Sequence, residues 1–278
     1  MKNLYKNIYI TLGLLSLSAL MQANAAVITD WTFGSTNSGP DNSPAPTIGS
    51  GVATALGMTN SYLLTSGSTI TGTGTFTGGT TSATFSVADS DILATTGDPN
   101  GFANTWRIRG NGSGGGNGWA LQAPEYSQGA QFSTSTVGYQ NITFSFDLYS
   151  TTQGVANAQE QYTLDGSTWT NIGSLLTVTS NGWLPTQTIT FSSAANNDAN
   201  FGVRIVSAYS PTLAIPNYGS ADGAQSGVYN NNSGNWRFAD VVFSGTAVPE
   251  PSTYALLLGG FALLVAMSRF RRAAVSQR

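Results

Sequence analysis

The stretch Ile142-Thr-Phe-Ser-Phe-Asp-Leu-Tyr149 alternates between apolar and polar positions almost without exception. Successive side chains of a β-strand point to opposite faces of the sheet. One face of this strand would carry Ile142, Phe144, Phe146 and Leu148. A strand with one apolar face lies between a hydrophobic core and solvent, as in antiparallel sheets. The stretch therefore predicts a strand packed on a core by one face.

Short runs of the same kind recur on both sides of this strand, separated by Gly, Asn, Ser and Pro clusters, and no amphipathic helical pattern interrupts them. The predicted strands are 27–33, 61–64, 69–77, 83–87, 104–109, 130–135, 141–149, 158–164, 169–175, 187–191, 201–207 and 236–244. Many short strands without intervening helices predict an all-β fold, namely a two-sheet antiparallel sandwich of jelly-roll type. A β-helix is the alternative, since residues 69–85 are rich in Thr and Gly, but no repeat period is sustained.

Charge and composition narrow the classes of function. Charged residues make up 8% of the 278 residues, and the segment 26–250 holds four arginines against thirteen acidic residues, a net charge of −9. Nucleic acid and anionic membranes attract the opposite charge, so neither is an expected partner of this segment. The chain has no cysteine and no histidine. Disulfides, thiolate metal sites and histidine-based catalysis are therefore excluded.

Residues 1–25 have the three parts of a secretory signal peptide. Lys2 and Lys6 form the basic start, an apolar run extends from about residue 8 to 21, and Ala23 and Ala25 are the small residues of the cleavage site. The sequence predicts that the mature chain starts near Ala26.

The last thirty residues combine a proline-rich linker, an apolar segment and a basic cluster. Residues 251–268 carry no charge, and Arg269, Arg271 and Arg272 follow directly. Eighteen helical residues extend ~27 Å at about 1.5 Å each, close to the ~30 Å of a bilayer core. The segment predicts a transmembrane helix with the arginines on the cytoplasmic side as a stop-transfer cluster.

The combination of Val248-Pro-Glu-Pro-Ser252, a helix with a Gly-Gly pair and a terminal arginine cluster resembles the PEP-CTERM sorting tail. The resemblance implies that an exosortase, a membrane-embedded protease-transpeptidase, recognises Pro249, Glu250 and Pro251 and removes the helix during export. The prolines also prevent helix formation just outside the membrane, which keeps this peptide extended and accessible. An ordinary single-pass anchor is the alternative. The predicted domains are a signal peptide (1–25), a β-sandwich (26–247) and a sorting tail (248–278).

Two internal phrases resemble those of exported PEP-CTERM sandwich domains. The first, Gln161-Tyr-Thr-Leu-Asp-Gly-Ser-Thr-Trp169, places Asp-Gly between two alternating runs and predicts a hairpin with Trp169 beside the turn. The second, residues 236–245, is expected to form the last strand before the tail. Residues 98–101, 110–118, 196–198 and 229–234 are predicted loops. No lysine follows the glycine run at 110–118, which excludes a phosphate-binding P-loop.

Candidate binding chemistry is sparse. Six aspartates in or beside loops could supply oxygen ligands to a structural calcium ion: Asp89, Asp91, Asp98, Asp198, Asp222 and Asp240. Their spacing matches neither the EF-hand nor the Gly-Gly-x-Gly-x-Asp motif and singles out no ligand, so no cofactor is assigned. A glycoside hydrolase would need two carboxylates, and Glu125 and Glu160 are the only glutamates inside the domain. Trp106, Trp119, Trp183 and Tyr126 are candidates for sugar stacking, with burial in the core as the alternative.

The sequence predicts a non-enzymatic exported protein. Its expected partners are the export machinery, the exosortase and exopolysaccharide, with temporary anchoring in the inner membrane before release to the cell surface or extracellular matrix. A structural or adhesive role in a biofilm is the inference from the resemblance. A carbohydrate-binding module is the alternative, and a secreted glycoside hydrolase is the less favoured one.

Overall fold

The computed structural model describes most of the predicted sandwich and part of the tail. The described residues are 25–34, 43–56, 75–78, 81–84, 91–94, 96–108, 119, 124–178, 180–215, 217–222, 234–249, 258–260 and 262–267. Ala23, Glu250, Pro251 and the cluster Arg269, Arg271 and Arg272 lie outside these residues. The same holds for the predicted strand at 61–64 and the glycine run at 110–118.

Seven strands form the larger antiparallel sheet: β1 (Ala25–Trp31), β5 (Asp91–Ala94), β6 (Asn104–Ile108), β8 (Tyr139–Ser150), β11 (Gly182–Trp183), β12 (Gln187–Thr190) and β14 (Trp236–Ala247). The two long strands, β8 and β14, pair at its centre. Strands β6 and β1 share the other side of β14, while β11 and β12 share the other side of β8. Strand β5 pairs with β6.

Five strands form the second antiparallel sheet, in the order β10 (Thr170–Thr177), β9 (Asn157–Thr163), β13 (Gly202–Ser207), β7 (Gly129–Thr134) and β2 (Gly51–Leu56). Strands β3 (Thr75–Gly78) and β4 (Thr81–Thr84) pair only with each other among the described residues. A 3-10 turn covers Ser193–Ala195. The sandwich of two antiparallel sheets is confirmed.

The two sheets meet in an aromatic core. The Phe132 ring, on the five-stranded sheet, lies 5.9 Å from that of Phe144 and 5.8 Å from that of Phe238, both on the larger sheet. Trp31, Trp106, Trp119 and Trp236 are fully buried. Such interdigitation of two inner faces is how a sandwich buries enough apolar area to be stable without disulfides.

The strand that indicated the fold behaves as its alternation predicts. Ile142, Phe144, Phe146 and Leu148 are all fully buried, and β8 extends the predicted strand to twelve residues. The predicted final strand is confirmed as β14, which runs three residues beyond the prediction and ends at Ala247.

Three strands were not predicted: β2, β5 and β11. Strand β2 reads Gly-Val-Ala-Thr-Ala-Leu and carries small residues, so its alternation is weak at the level of sequence. Its buried residues Ala53 and Ala55 nevertheless face the core. Strand β11 has two residues, too few for any pattern. Pairing with a neighbouring strand, rather than local preference, defines these strands.

Part of the predicted transmembrane segment is described, and residues 258–260 and 262–267 are helical. Leu258 is 67% and Leu264 66% exposed. None of these helical residues belongs to the core cluster of the described chain. Within the described residues no helix reaches the length and hydropathy needed to cross a bilayer.

Candidate functional site

A row of large side chains crosses the outer face of the seven-stranded sheet. Trp183 of β11 pairs in register with Tyr149 of β8, which pairs with Arg237 of β14. Arg237 in turn pairs with Arg107 of β6. Because paired residues point to the same side of a sheet, the four side chains lie on one face. We call this set, Trp183, Tyr149, Arg237 and Arg107, the aromatic-arginine row.

Contacts within the row fix the orientation of its members. The Tyr149 and Trp183 rings are 5.4 Å apart at 61°, an edge-to-face arrangement. The Arg237 guanidinium carbon lies 5.0 Å from the Tyr149 ring centroid, a cation-π contact. Tyr149 Oη donates to Asn181 Oδ1 at 2.5 Å, and Trp183 Nε1 donates to the Thr96 carbonyl at 3.3 Å. All four members of the row are half-buried, so parts of their surfaces face solvent.

The turn Asp98-Pro-Asn-Gly101 lies beside this row, because Thr96, two residues earlier, accepts the bond from Trp183. Asp98 Oδ1 accepts hydrogen bonds from the backbone N–H groups of Asn100 and Phe102, both at 3.0 Å. Gly101 has φ +80°, a conformation that glycine adopts without strain. The predicted turn is confirmed, and the Asp98 carboxylate organises it.

Asn100 joins the turn to the sheet. Its Nδ2 lies 3.0 Å from Asp147 Oδ2, 2.9 Å from Asp240 Oδ2 and 3.2 Å from Thr186 Oγ1. Asp240 lies at a β-bulge of β14, between Ala239 and Val242, and has φ +46°. A bulge re-aims a side chain, and such backbone strain in a non-glycine residue concentrates at functional positions. We call Asp98, Asn100, Asp147 and Asp240 the acidic cluster.

Burial and the charges of neighbouring carboxylates disfavour the charged forms of Asp147 and Asp240. Burial raises the pKa of Asp147 to about 6. The negative charges of Asp98 and Asp240 also raise this pKa, whereas a hydrogen bond from Thr186 lowers it. Burial also raises the pKa of Asp240, although the Asn100 hydrogen bond opposes the shift. Asp30 of β1 is a further carboxylate nearby, and its pKa is raised by burial and by Asp240.

Sequence reasoning found part of this cluster. Asp98 and Asp240 were among the six aspartates considered as calcium ligands, whereas Asp147 was missed. The only signal for Asp147 was an acid at an outward position of a strand that is otherwise aromatic and aliphatic. Asn100 was recognised only as a turn residue, since nothing local to it indicates contacts with β8 and β14.

Asp198 and Asp222, two of the remaining calcium candidates, do not join the acidic cluster. Asp198 Oδ1 accepts the Asn200 N–H at 2.7 Å, and the Asp198 backbone pairs with Thr136, so it organises its own loop. Asp222 is exposed. Asp91 forms a register pair with Arg107 in β5 and β6. Asp89 lies outside the described residues.

The two glutamates considered for hydrolysis occupy different environments. Glu125 Oε1 accepts the Tyr209 N–H at 2.9 Å. Glu160 pairs in register with Ile205, a core residue, and desolvation raises its pKa to about 7. A Cβ placed on Gly173, at the bulge of β10, would lie 3.0 Å from Glu160 Oε2, so the carboxyl group reaches toward the bulge.

Two of the four aromatic candidates for sugar stacking are excluded. Trp106 and Trp119 are fully buried, and the Trp119 ring lies 4.4 Å from that of Trp236 in the interior. Trp183 and Tyr126 are half-buried, and Trp183 belongs to the aromatic-arginine row. Tyr149 completes the pair with Trp183 but was predicted only as a strand residue.

The predicted Asp-Gly hairpin is confirmed between β9 and β10. Asp165 Oδ1 accepts the N–H groups of Ser167 and Thr168 at 2.8 and 2.6 Å, and these hydrogen bonds hold the pKa of Asp165 well below its usual range. Gly166 has φ +74°, as the turn requires. Trp169 packs beside this turn, where the Arg204 guanidinium lies 4.5 Å from its ring centroid.

Solved structures similar to this chain include xylan-binding domains. The CBM22-1 xylan-binding domain of Paenibacillus barcinonensis Xyn10C is 11% identical, with a TM-score of 0.37 over 81% of this chain and 97% of that one. A xylan-binding domain from CBM 22, formerly x6b, is 13% identical, with a TM-score of 0.32 over 70% and 98%. The CBM22-1 and GH10 modules of a Clostridium thermocellum xylanase are 12% identical, with a TM-score of 0.34 over 58% of this chain. The match spans 25% of that xylanase chain.

Comparison with curated proteins returned no match. The family model for the PEP-CTERM protein-sorting motif matches residues 247–272. This range contains the Pro249-Glu-Pro251 sequence, the apolar segment and the three-arginine cluster. It begins where β14 ends, at Ala247. The chain therefore carries a C-terminal PEP-CTERM protein-sorting motif, which marks it as an exported, cell-surface-sorted substrate of an exosortase.

Proposed function

We propose that the sandwich is a non-catalytic domain that holds extracellular polysaccharide at the cell surface or in the matrix, in a structural and adhesive role. The observation that carries this proposal is the aromatic-arginine row. Aromatic rings present apolar faces to sugar rings, while guanidinium groups donate hydrogen bonds to hydroxyl and carboxylate oxygens. Both kinds of group are aligned here on one partly exposed face.

The length of the row suits a polymer. Its members occupy four adjacent strands, and strands are ~4.8 Å apart, so three intervals extend about 14 Å. The members are held by cross-strand pairing and by contacts with Asn181 and Thr96, which restrict their movement before any ligand arrives. A preorganised site loses less conformational entropy on binding.

The environments of the carboxylates favour binding over hydrolysis. A glycosidase needs two carboxyl groups separated by a sugar ring and accessible to it. Asp147 is fully buried, and the Asn100 amide stands between it and Asp240. Glu125 is engaged by a backbone N–H, and Glu160 lies on the core side of β9. No pair among these described residues presents the accessible arrangement that hydrolysis requires.

The ends of the sandwich suit processing at both termini. Ala25 pairs with Thr246, so the first residue of β1 lies beside the end of β14. The Val248 N–H donates to the Gly138 carbonyl at 2.8 Å, which fixes the chain just before Pro249. Cleavage after Ala25 would remove only the first residue of β1, and removal of the tail after the sorting motif would leave β14 whole. The two predicted cleavage regions then lie at the same end of the domain.

Binding is tested with the full chain purified in detergent, titrated with the exopolysaccharide of the producing cells. We expect Trp183→Ala to weaken binding at least tenfold, because it removes one of the two aromatic rings of the row. Trp169→Ala is the matched control on the opposite sheet and should bind as the unchanged chain does. Full binding by Trp183→Ala, or loss only in Trp169→Ala, would contradict the assignment of the site.

Tail removal is tested by mass spectrometry of cell-associated and released protein. We expect released chains to lack Arg278 and to end near Pro251. Intact chains carrying Arg278 outside the membrane would show that export proceeds without exosortase processing.

A further inference from the structure

We propose that the end of the sandwich from which the sorting tail emerges is a docking surface for a lipid bilayer, on which the domain rests until the tail is removed. This surface consists of the turn at 136–139, the 3-10 turn Ser193–Ala195 and Val248, which follows β14. We call it the tail-side end. The proposal rests on the anchoring of the tail in the membrane, which the same experiment measures separately.

Two exposed valines lie in adjacent chain segments at the tail-side end. Val137 is 54% and Val248 44% exposed. The Val248 N–H donates to the carbonyl of Gly138, the residue after Val137, at 2.8 Å. Turns usually carry glycine, proline, asparagine, aspartate or serine, so an exposed valine is unusual in a turn that faces only water. Both side chains gain free energy when an apolar surface covers them.

Hydrogen bonds hold the turn at 136–139 in place. The Tyr139 N–H donates to the Thr136 carbonyl at 2.9 Å, and Gly138 has φ +83°. The Gly138 N–H donates to Asn197 Oδ1 at 2.9 Å, and Thr136 Oγ1 donates to the Ala195 carbonyl at 2.7 Å. The valine of this turn is therefore presented on a fixed surface.

The length of the linker keeps the tail-side end close to the membrane. The apolar segment of the tail begins at Tyr254, so five residues separate it from Val248. A fully extended chain spans ~3.3–3.6 Å per residue, and six steps reach about 20 Å. The interfacial layer occupies roughly 5–8 Å on each side of the hydrocarbon core. An anchored tail thus holds Val248 within about 15 Å of the lipid headgroups, at a high effective concentration.

The start of the folded domain lies at the same end. Ala25 pairs with Thr246, close to the last residue of β14. The predicted signal peptide directly precedes Ala26, so a precursor with both apolar segments in the membrane would be held by two tethers. Two tethers restrict the tilt of the sandwich more than one does, with the tail-side end facing the bilayer.

The composition of the tail-side end fits lipid better than protein. Residues 135–141, 192–200 and 247–249 include no Trp, Phe or Arg, the types enriched in protein interfaces. Their only acid, Asp198, is half-buried and accepts the Asn200 N–H at 2.7 Å within its own loop. The next acid, Asp165, lies in the β9–β10 hairpin, two strands from β7 in the five-stranded sheet. Anionic lipids repel carboxylates, and this end presents few of them.

The test uses the full chain reconstituted in vesicles of phosphatidylethanolamine and phosphatidylglycerol, with a nitroxide on the lipid headgroup as quencher. Because the chain has no cysteine, Val137→Cys provides a single attachment point for a bimane label. Ile215→Cys is the matched control: Ile215 is 78% exposed and lies in the loop after Ser207, at the opposite end of β13 from Asp198. We expect roughly threefold stronger quenching at position 137, because only that label reaches the headgroups.

A second pair of variants relates docking to processing. In membranes that contain the exosortase, Val137→Asp should slow tail removal roughly threefold, because the added charge opposes contact with lipid. Ile215→Asp should leave the rate unchanged. Both positions are exposed, so both variants should keep the tryptophan fluorescence of the unchanged chain. Ala194→Cys, at an exposed position of the 3-10 turn, is a second reporter at the tail-side end if Val137→Cys misfolds.

Three results overturn the proposal in distinguishable ways. Equally weak quenching at positions 137 and 215, in a chain that floats with the vesicles, removes the docking surface but keeps the anchored tail. Quenching at position 137 that appears only when the vesicles contain exosortase identifies the protease as the partner instead of lipid. A chain that does not float with the vesicles refutes the anchoring itself, and the docking surface with it.

Discussion

The outer faces of both sheets carry tryptophan and arginine side chains, but the hydrogen bonding around these side chains differs between the two sheets. On the five-stranded sheet, Arg204 Nε donates to Gln161 Oε1 at 2.5 Å, and Gln161 Nε2 donates to Asn171 Oδ1 at 2.6 Å. Gln161 is 3% exposed, and the Trp169 ring lies across Gly202, with Cη2 3.4 Å from a Cβ placed there. The polar side chains of this network therefore hydrogen-bond to one another.

On the seven-stranded sheet the corresponding polar groups are not all hydrogen-bonded within the protein. The aromatic-arginine row is half-buried, and the acidic cluster beside it retains buried oxygens without hydrogen bonds. Tryptophan and arginine therefore do not by themselves indicate a binding site. What separates the two faces is whether the polar groups are already satisfied within the protein, since satisfied networks rigidify a fold.

The largest effect that would sharpen this comparison is on stability. Arg204→Ala should lower the free energy of unfolding by about 1–3 kcal/mol, because the buried Gln161 Oε1 loses its donor. Arg237→Ala should cost less, since its bonded partner Asn235 is only half-buried. Urea denaturation of the two variants measures the difference. Equal losses would show that both faces are structural to the same degree.

An intermediate effect is expected in the pH dependence of stability. Burial raises the pKa of Glu160 to about 7 in the folded chain, above its ordinary value of 4.5. The folded state thus binds this proton more tightly, so the stabilisation is complete below about pH 4.5 and is lost as the pH rises through 7. Glu160→Gln should flatten the stability profile between pH 5 and 8, measured by denaturation at each pH. An unchanged slope would assign the dependence to other groups.

The smallest effect is expected at the β9–β10 hairpin. Asp165→Ala removes the acceptor of two backbone N–H groups in an exposed turn, and the melting temperature should fall by no more than a few degrees. Asp165→Asn, which keeps an acceptor oxygen, should restore most of the loss. Polysaccharide binding should not change in either variant, because the hairpin belongs to the five-stranded sheet. Loss of polysaccharide binding in Asp165→Ala would instead place the binding site on the five-stranded sheet.

Much of the fold was predictable because alternation and turn chemistry are local. The period of two in residues 142–149 identified the buried face of β8, and Asp-Gly at 165–166 identified a hairpin. Strand β2 was not predictable, since alanine and glycine give little contrast between faces. The candidate site was half predictable: Asp98 and Trp183 stand in recognisable contexts, but Asp147 and Tyr149 were seen only as strand residues.

The sequence by itself determined the sorting motif, the two-layer β architecture and the charge of the domain, because each depends on residue type and spacing along the chain. Only the tertiary structure decided which aspartates meet. Asp98, Asp147 and Asp240 lie 49 and 93 positions apart in the chain, and antiparallel pairing, a bulge and one turn bring all three to Asn100. It also separated the half-buried Trp169 and Trp183 from the four buried tryptophans, since burial depends on the face that a neighbouring strand covers.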